Sequence, residues 1–156
     1  MTAGLEGLSI VKPPYGVISA IDLNTGPLKF QVPHGDTPDN VRATLQKLGV
    51  NYPEKTGQGG STGIMVTKTM VVAGDMQVTA PPGRARGALL RAYDKQTGKE
   101  IGAVPMPDRV SGSPMTYMID GRQYITIAVY GGSANPGGQY VTYALPQSEI
   151  RPAGGQ

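Results

Sequence analysis

Cysteine and tryptophan are absent from the chain, and phenylalanine and histidine occur once each. Without cysteine there can be neither a disulfide nor a thiolate metal centre. That leaves the compartment open, since periplasmic proteins also manage without cysteine. The basic residues outnumber the acidic ones by three but are scattered. With so few aromatics they form neither a phosphate-tracking stripe nor a stacking platform, so nucleic acid is not expected as a partner. Long apolar runs are missing as well, and no segment approaches the roughly 20 residues of a membrane helix. Residues Met1–Ser9 are small and polar. They lack the basic start and the apolar stretch of about 7–15 residues that mark a secretory signal, so no signal peptide is read here. A chain that had lost its own N-terminus would read the same way.

What is plentiful is glycine (23) and proline (14) in a chain of 156 residues, about twice their usual combined share of roughly 12%. Both punctuate turns, glycine by reaching positive φ and proline by fixing φ. Closely spaced turns between runs rich in Val, Ile, Thr and Tyr predict an all-β domain. One internal repeat organises it. Ala20-Ile21-Asp22-Leu23-Asn24-Thr25-Gly26 matches Ala92-Tyr93-Asp94-Lys95-Gln96-Thr97-Gly98, with Asp22 and Asp94 72 positions apart. A repeat at that interval suggests a propeller or a solenoid. Each copy reads as strand, tight turn, strand, because Asp bonds backbone amides two residues on and Gly takes the left-handed position.

Further strands are expected at 63–67 and 70–73, at 114–119 and 123–129 around the hairpin signal Asp120-Gly121, and at 139–145. They fall into groups of two, four and three. A helix is expected at about 37–49, with Thr37 as its cap, Pro38 in its first turn and Gly49 ending it. Residues 1–13 read as an N-terminal extension, 14–146 as the domain and 147–156 as a disordered tail. Leu8–Val11 is a weak candidate for the outer strand that the third group lacks.

The Asp-x-x-Thr-Gly turns resemble the docking repeat of quinoprotein (pyrroloquinoline quinone-dependent) dehydrogenase propellers. Gly57–Gly63 followed by Val72-Ala73-Gly74-Asp75 resembles a late blade of the glucose dehydrogenases of that family. Ser113-Pro114-Met115-Thr116-Tyr117 with Asp120–Tyr124 and Gly131-Gly132 resembles their last blade. The resemblance runs from about Pro14 to Pro146. It implies the last two to three blades of an eight-bladed propeller with one short inserted helix. It also implies pyrroloquinoline quinone and calcium as cofactors, a sugar or alcohol as substrate, a quinone or cytochrome as electron acceptor, and the periplasm as the location. The family's catalytic residues and metal ligands lie mainly in earlier blades, so no catalytic or metal-binding residue is assigned here and the chain alone is expected to be inactive. Where the family has a docking tryptophan, this chain has Phe30 in the first copy and Gly102 in the second.

The loops 33–60, 74–87, 105–113 and 130–138 are expected on one face, the side on which the family holds its cofactor. Gln58, Gly59, Ser61 and Thr62 are the candidate cofactor contacts there, offering hydrogen bonds and close backbone approach. The same glycines also serve the geometry of a strand-entry loop. Arg84, with Arg86 near it, is a candidate partner for the cofactor's carboxylates, or else lies in a solvated loop. His34 reads as a surface residue in a Pro-Gly-flanked loop. Asp22 and Asp94 read as structural because they recur, and Asp75 ends a strand on the ligand side. The rival reading is a non-catalytic propeller scaffold or binding module. Open sheet edges also allow self-association.

Overall fold

The computed structural model describes residues 5–52, 55–131 and 137–146, so the reading of 147–156 as a disordered tail lies outside the described residues. Among the described residues, nine strands form three antiparallel sheets. The first holds β1 (Val17–Ile21) and β2 (Leu28–Pro33). The second holds β3 (Ile64–Val66), β4 (Met70–Gly74), β5 (Ala88–Asp94) and β6 (Glu100–Met106). The third holds β7 (Met115–Ile119), β8 (Arg122–Val129) and β9 (Gln139–Ala144). Neighbours in each sheet are neighbours in sequence, giving the grouping of two, four and three that the turn spacing predicts.

The two Asp-x-x-Thr-Gly turns are built alike. Asp22 Oδ1 accepts from the Asn24 and Thr25 amides at 2.9 and 3.4 Å, and Asp94 Oδ1 from those of Gln96 and Thr97 at 3.0 and 2.8 Å. Beside each turn the ladder skips one residue. Ala20 pairs Phe30 and Ile21 pairs Leu28, while Ala92 pairs Gly102 and Tyr93 pairs Glu100. Lys29 and Ile101 are therefore bulge residues at the same place in the repeat. The bulge changes which side of the sheet the following residues face.

Strand alternation sends the middle sheet's side chains to two separate cores. Val72, Ala88, Leu90 and Met106 pack with Ile127, Val129 and Val110 toward the third sheet. Val71, Ala73 and Tyr93 pack with Ile18, Phe30 and Val32 toward the first. Each fully buried side chain of this kind contributes about 1.5–3 kcal/mol. Phe30 closes the first interface by laying its ring on Gly98, where a Cβ would stand 2.5 Å from the ring. Gly98 also sits at φ +73, so the turn and the docking contact both need glycine. The second interface is bridged from the other side, with the Tyr143 hydroxyl donating to the Pro105 carbonyl at 2.7 Å.

The helix α1 spans Asp39–Lys47 and buries Val41. Pro38 occupies the N-cap without a side-chain cap bond. The expected Thr37 cap is not formed, because Thr37 Oγ1 instead accepts from the Thr56 amide at 3.2 Å. Leu8–Val11 is not a strand, and Ile10 and Val11 lie exposed. The long loops after β2 and β4 are fastened together. Arg42 donates to the Ala80 carbonyl, Asp39 accepts from the Ala80 amide, and Arg86 pairs with Asp39 at 2.6 Å.

Candidate functional site

The segment entering β3 is held by a backbone crossing. Gly16 and Gly57 touch so closely that a Cβ on either would run into the other segment's main chain. Tyr15 N–H donates to Thr56 O, and Gln58 N–H to His34 O at 2.8 Å. Gln58 is thereby driven inward and is 1% exposed. Its Oε1 accepts from the Gln77 amide at 2.9 Å, which fixes the orientation of the side-chain amide. Its Nε2 is buried without a partner among the described residues. An unmet buried donor typically costs about 1–3 kcal/mol, so this group is the least satisfied polar atom of the loop.

His34 is buried, which corrects its reading as a surface residue. Nε2 lies 3.0 Å from the Gly74 carbonyl and Nδ1 2.8 Å from the Tyr93 hydroxyl. A carbonyl can only accept, so Nε2 carries the proton and Nδ1 of the neutral ring accepts from Tyr93. Burial pulls the His34 pKa below its ordinary value. Burial also raises that of Tyr93. The ring thus joins the loop after β2 to the middle sheet, and neither nitrogen is left for chemistry.

Gln58, Ser61 and Thr62 line one pocket of about 320 Å³ between β1 and the β3 entry, together with His34 and Met76. Ser61 and Thr62 also line an adjoining pocket of about 150 Å³ with Ser111, Gly112, Ser113 and Tyr130. Thr62 Oγ1 donates at 3.3 Å to Gly74 O, the acceptor that His34 also uses. Three of the expected contacts therefore share a site. Gly59 does not join them. It is exposed and lines a separate depression with Tyr15, Asn40 and Gln77. Arg84 is also elsewhere. Its Nη2 donates to Asp36 Oδ2 at 2.6 Å and to Thr79 Oγ1 at 3.3 Å, on a different pocket lined by Tyr52, Lys55 and Glu100. The group expected to meet a cofactor carboxylate is committed to a carboxylate of the chain itself.

Asp36 leads into a buried charge cluster that sequence reasoning missed. Arg91 is 1% exposed. Its Nε donates to Asp75 Oδ1 at 2.7 Å and its Nη2 to Asp75 Oδ2 at 3.0 Å. Nη2 also reaches Asp36 Oδ2 at 2.7 Å, and Nη1 reaches Glu100 Oε2 at 3.1 Å. Lys55 caps Glu100 at 2.7 Å. Burial disfavours the charged guanidinium, but the three carboxylates outweigh it and raise the Arg91 pKa. Burial likewise raises Asp36, yet Arg91 and Arg84 hold it below the usual carboxylate range. The signal was present in Ala88–Asp94, where an arginine lies on the same strand face as Tyr93 and so points inward. Each acid is already taken by a cation. Among the described residues no group of three or more His, Cys, Asp or Glu is arranged to hold a metal.

Consecutive antiparallel sheets, stacked face to face and joined through repeated docking turns, define blades of a β-propeller. The sequence profile of the pyrroloquinoline quinone family "glucose/ethanol/alcohol dehydrogenase, beta-propeller domain" matches residues 1–125. The chain belongs to this quinoprotein dehydrogenase propeller family. It is 30% identical over 91% of its length to a probable quinate dehydrogenase (quinone) of Xanthomonas campestris pv. juglandis, covering 17% of that protein. To the glycerol dehydrogenase large subunit of Gluconobacter oxydans (strain 621H) it is 32% identical over 90% of the chain and 18% of that protein. To quinoprotein glucose dehydrogenase A of Acinetobacter calcoaceticus it is 29% identical over 92% of the chain and 17% of that protein. The chain thus spans less than a fifth of the length of these relatives.

Proposed function

We propose that this chain supplies one wall of the cofactor site in a pyrroloquinoline quinone-dependent dehydrogenase. The assembled enzyme oxidises an alcohol or an aldose (glucose-like), passes the electrons to a quinone or a cytochrome, and works in the periplasm. The observation that carries the reading is the buried Nε2 of Gln58, without a partner among the described residues, beside the pocket that Ser61 and Thr62 also line. A hydrogen-bond donor and two hydroxyls suit the carbonyl and carboxylate oxygens of such a quinone. Gln58, Ser61 and Thr62 are the residues that would hold it. The bound quinone supplies the two-electron acceptor. The chain's own part is to orient that ring and to keep one side of it dry, with Met76 and Ile18 on the same pocket. Arg84 takes no part in this, being held by Asp36. The calcium of the assembled enzyme draws its ligands chiefly from blades outside this chain, so the chain alone is inactive.

The test is calorimetric titration of the purified chain with pyrroloquinoline quinone, with and without calcium. Calcium-dependent saturable binding that Gln58→Ala weakens supports the reading. Absence of binding favours the alternative, a propeller scaffold or binding module without chemistry of its own. The outer edge of β9 is unpaired among the described residues, and a free edge invites another strand. Self-association through it is part of the proposal, and a monomeric size in solution counts against it.

A further inference from the structure

We infer that the cleft between the second and third blades is a binding site for a single uncharged aromatic ring. The argument starts from the repeat. Phe30 pairs with Ala20 and Gly102 pairs with Ala92, each just before the bulge, so the two positions are equivalent in their sheets. At the first interface that position carries a ring, which fills the space up to the turn of the next blade. At the second it carries no side chain, and among the described residues nothing lies within 4 Å of where a Cβ would stand. Among the described residues that space stays open. It measures about 400 Å³ and is walled by Met70, Val72, Leu90, Val104, Ile125 and Tyr143.

Two features frame the space and say what fits it. The bond from Tyr143 Oη to Pro105 O and the packing of Val72, Leu90 and Met106 with Ile127 and Val129 hold the two blades together beside the gap. The walls are mainly aliphatic and thioether groups with one tyrosine, and the guanidinium of Arg91, which also borders the space, is committed to Asp75 and Asp36, so the slot matches an apolar ring and offers little to a charge. An enclosed apolar cavity of about 150 Å³ admits benzene, and this groove, which opens to solvent, has room for a ring of that size. The sister interface shows the chemistry that completes the contact, a flat six-membered ring lying between the sheets.

The experiment is a titration of the full ¹⁵N-labelled chain with indole, followed by amide NMR shifts. Saturable shifts are expected at Leu90, Ala92, Val104 and Ile125, with Ile18 and Val32 at the filled interface unmoved. Gly102→Trp builds the missing ring into the chain and is expected to weaken indole binding at least about tenfold. Gly102→Leu does the same with a smaller group, should the tryptophan prevent folding. Absence of saturable shifts in the unaltered chain overturns the inference. So does binding that survives unchanged in a folded variant of either kind.

Discussion

Arg91 and Asp75 meet in a two-bond fork, Nε to Oδ1 at 2.7 Å and Nη2 to Oδ2 at 3.0 Å, with Asp75 0% and Arg91 1% exposed. The fork binds the end of β4 to the middle of β5. Through Asp36 and Glu100 the same guanidinium also fastens the long loop of the first blade and the start of β6. Breaking a buried pair leaves the other charge stranded, which is far more costly than the pair itself is stabilising. Asp75→Ala is therefore expected to destabilise the chain by about 3–5 kcal/mol. Urea unfolding of the variant measures it, and a loss near zero would mean that the cluster is open to water.

The charge cluster also sets an acid limit. Asp36 is held below its ordinary value of 3.8. A depressed folded-state pKa gives stability that is present above the unfolded value and lost as pH falls through the folded one. Removing this acid should flatten the stability profile below about pH 4. Unfolding midpoints of Asp36→Asn and the unaltered chain, compared from pH 5 downward, are expected to converge.

His34 acts with the same proton sense in a higher window, although here the favoured form is the neutral one. Burial lowers its pKa below 6.5, so the folded state prefers the neutral ring. Its contribution is complete above pH 6.5 and is lost as pH falls from there toward the folded value. The groups facing it are Tyr93, Asp75, Arg91 and Glu100. His34→Gln is expected to lower stability at pH 7.5 and to lose less than the unaltered chain on going to pH 5. Denaturation at the two pH values reads the difference directly. An identical pH response in both proteins would remove His34 from the account.

The first docking contact can be tested from either partner. Phe30→Ala removes a half-buried ring and is expected to cost about 3 kcal/mol. Gly98→Ala places a methyl group against that ring at a positive φ, and is expected to cost about 2 kcal/mol. Since both changes break one contact, the double variant should lose clearly less than the two single losses combined. Additive losses would show that Phe30 and Gly98 are energetically separate.

The features legible in the sequence were the local ones. The turns at Asp22 and Asp94 need only their own residues, and the hairpin at Asp120-Gly121 forms as the dipeptide predicts. Gln58, Ser61 and Thr62 stand out in the sequence because they flank a strand entry on the loop-bearing face, and in the structure they line one pocket. What escaped was set by partners distant in sequence. His34 reads as surface from its neighbours, but its environment is made by Gly74 and Tyr93. Arg84 reads as a loop cation, but Asp36 lies 48 residues before it. Thr37 has the chemistry of a cap, and Thr56 claimed its hydroxyl.

The bulge at Ile101 gives β6 two clients. Ahead of it Glu100 serves the charge cluster, and after it Gly102 and Val104 serve the apolar cleft. One residue of chain length is thus the phase marker between a salt lattice and an oily slot. Side-chain exchanges at position 101 leave that phase alone. Deleting the residue would instead place Gly102 directly after Glu100 and still opposite Ala92, so the bulge would close, the strand would straighten beside the turn, and both clients would keep their partners.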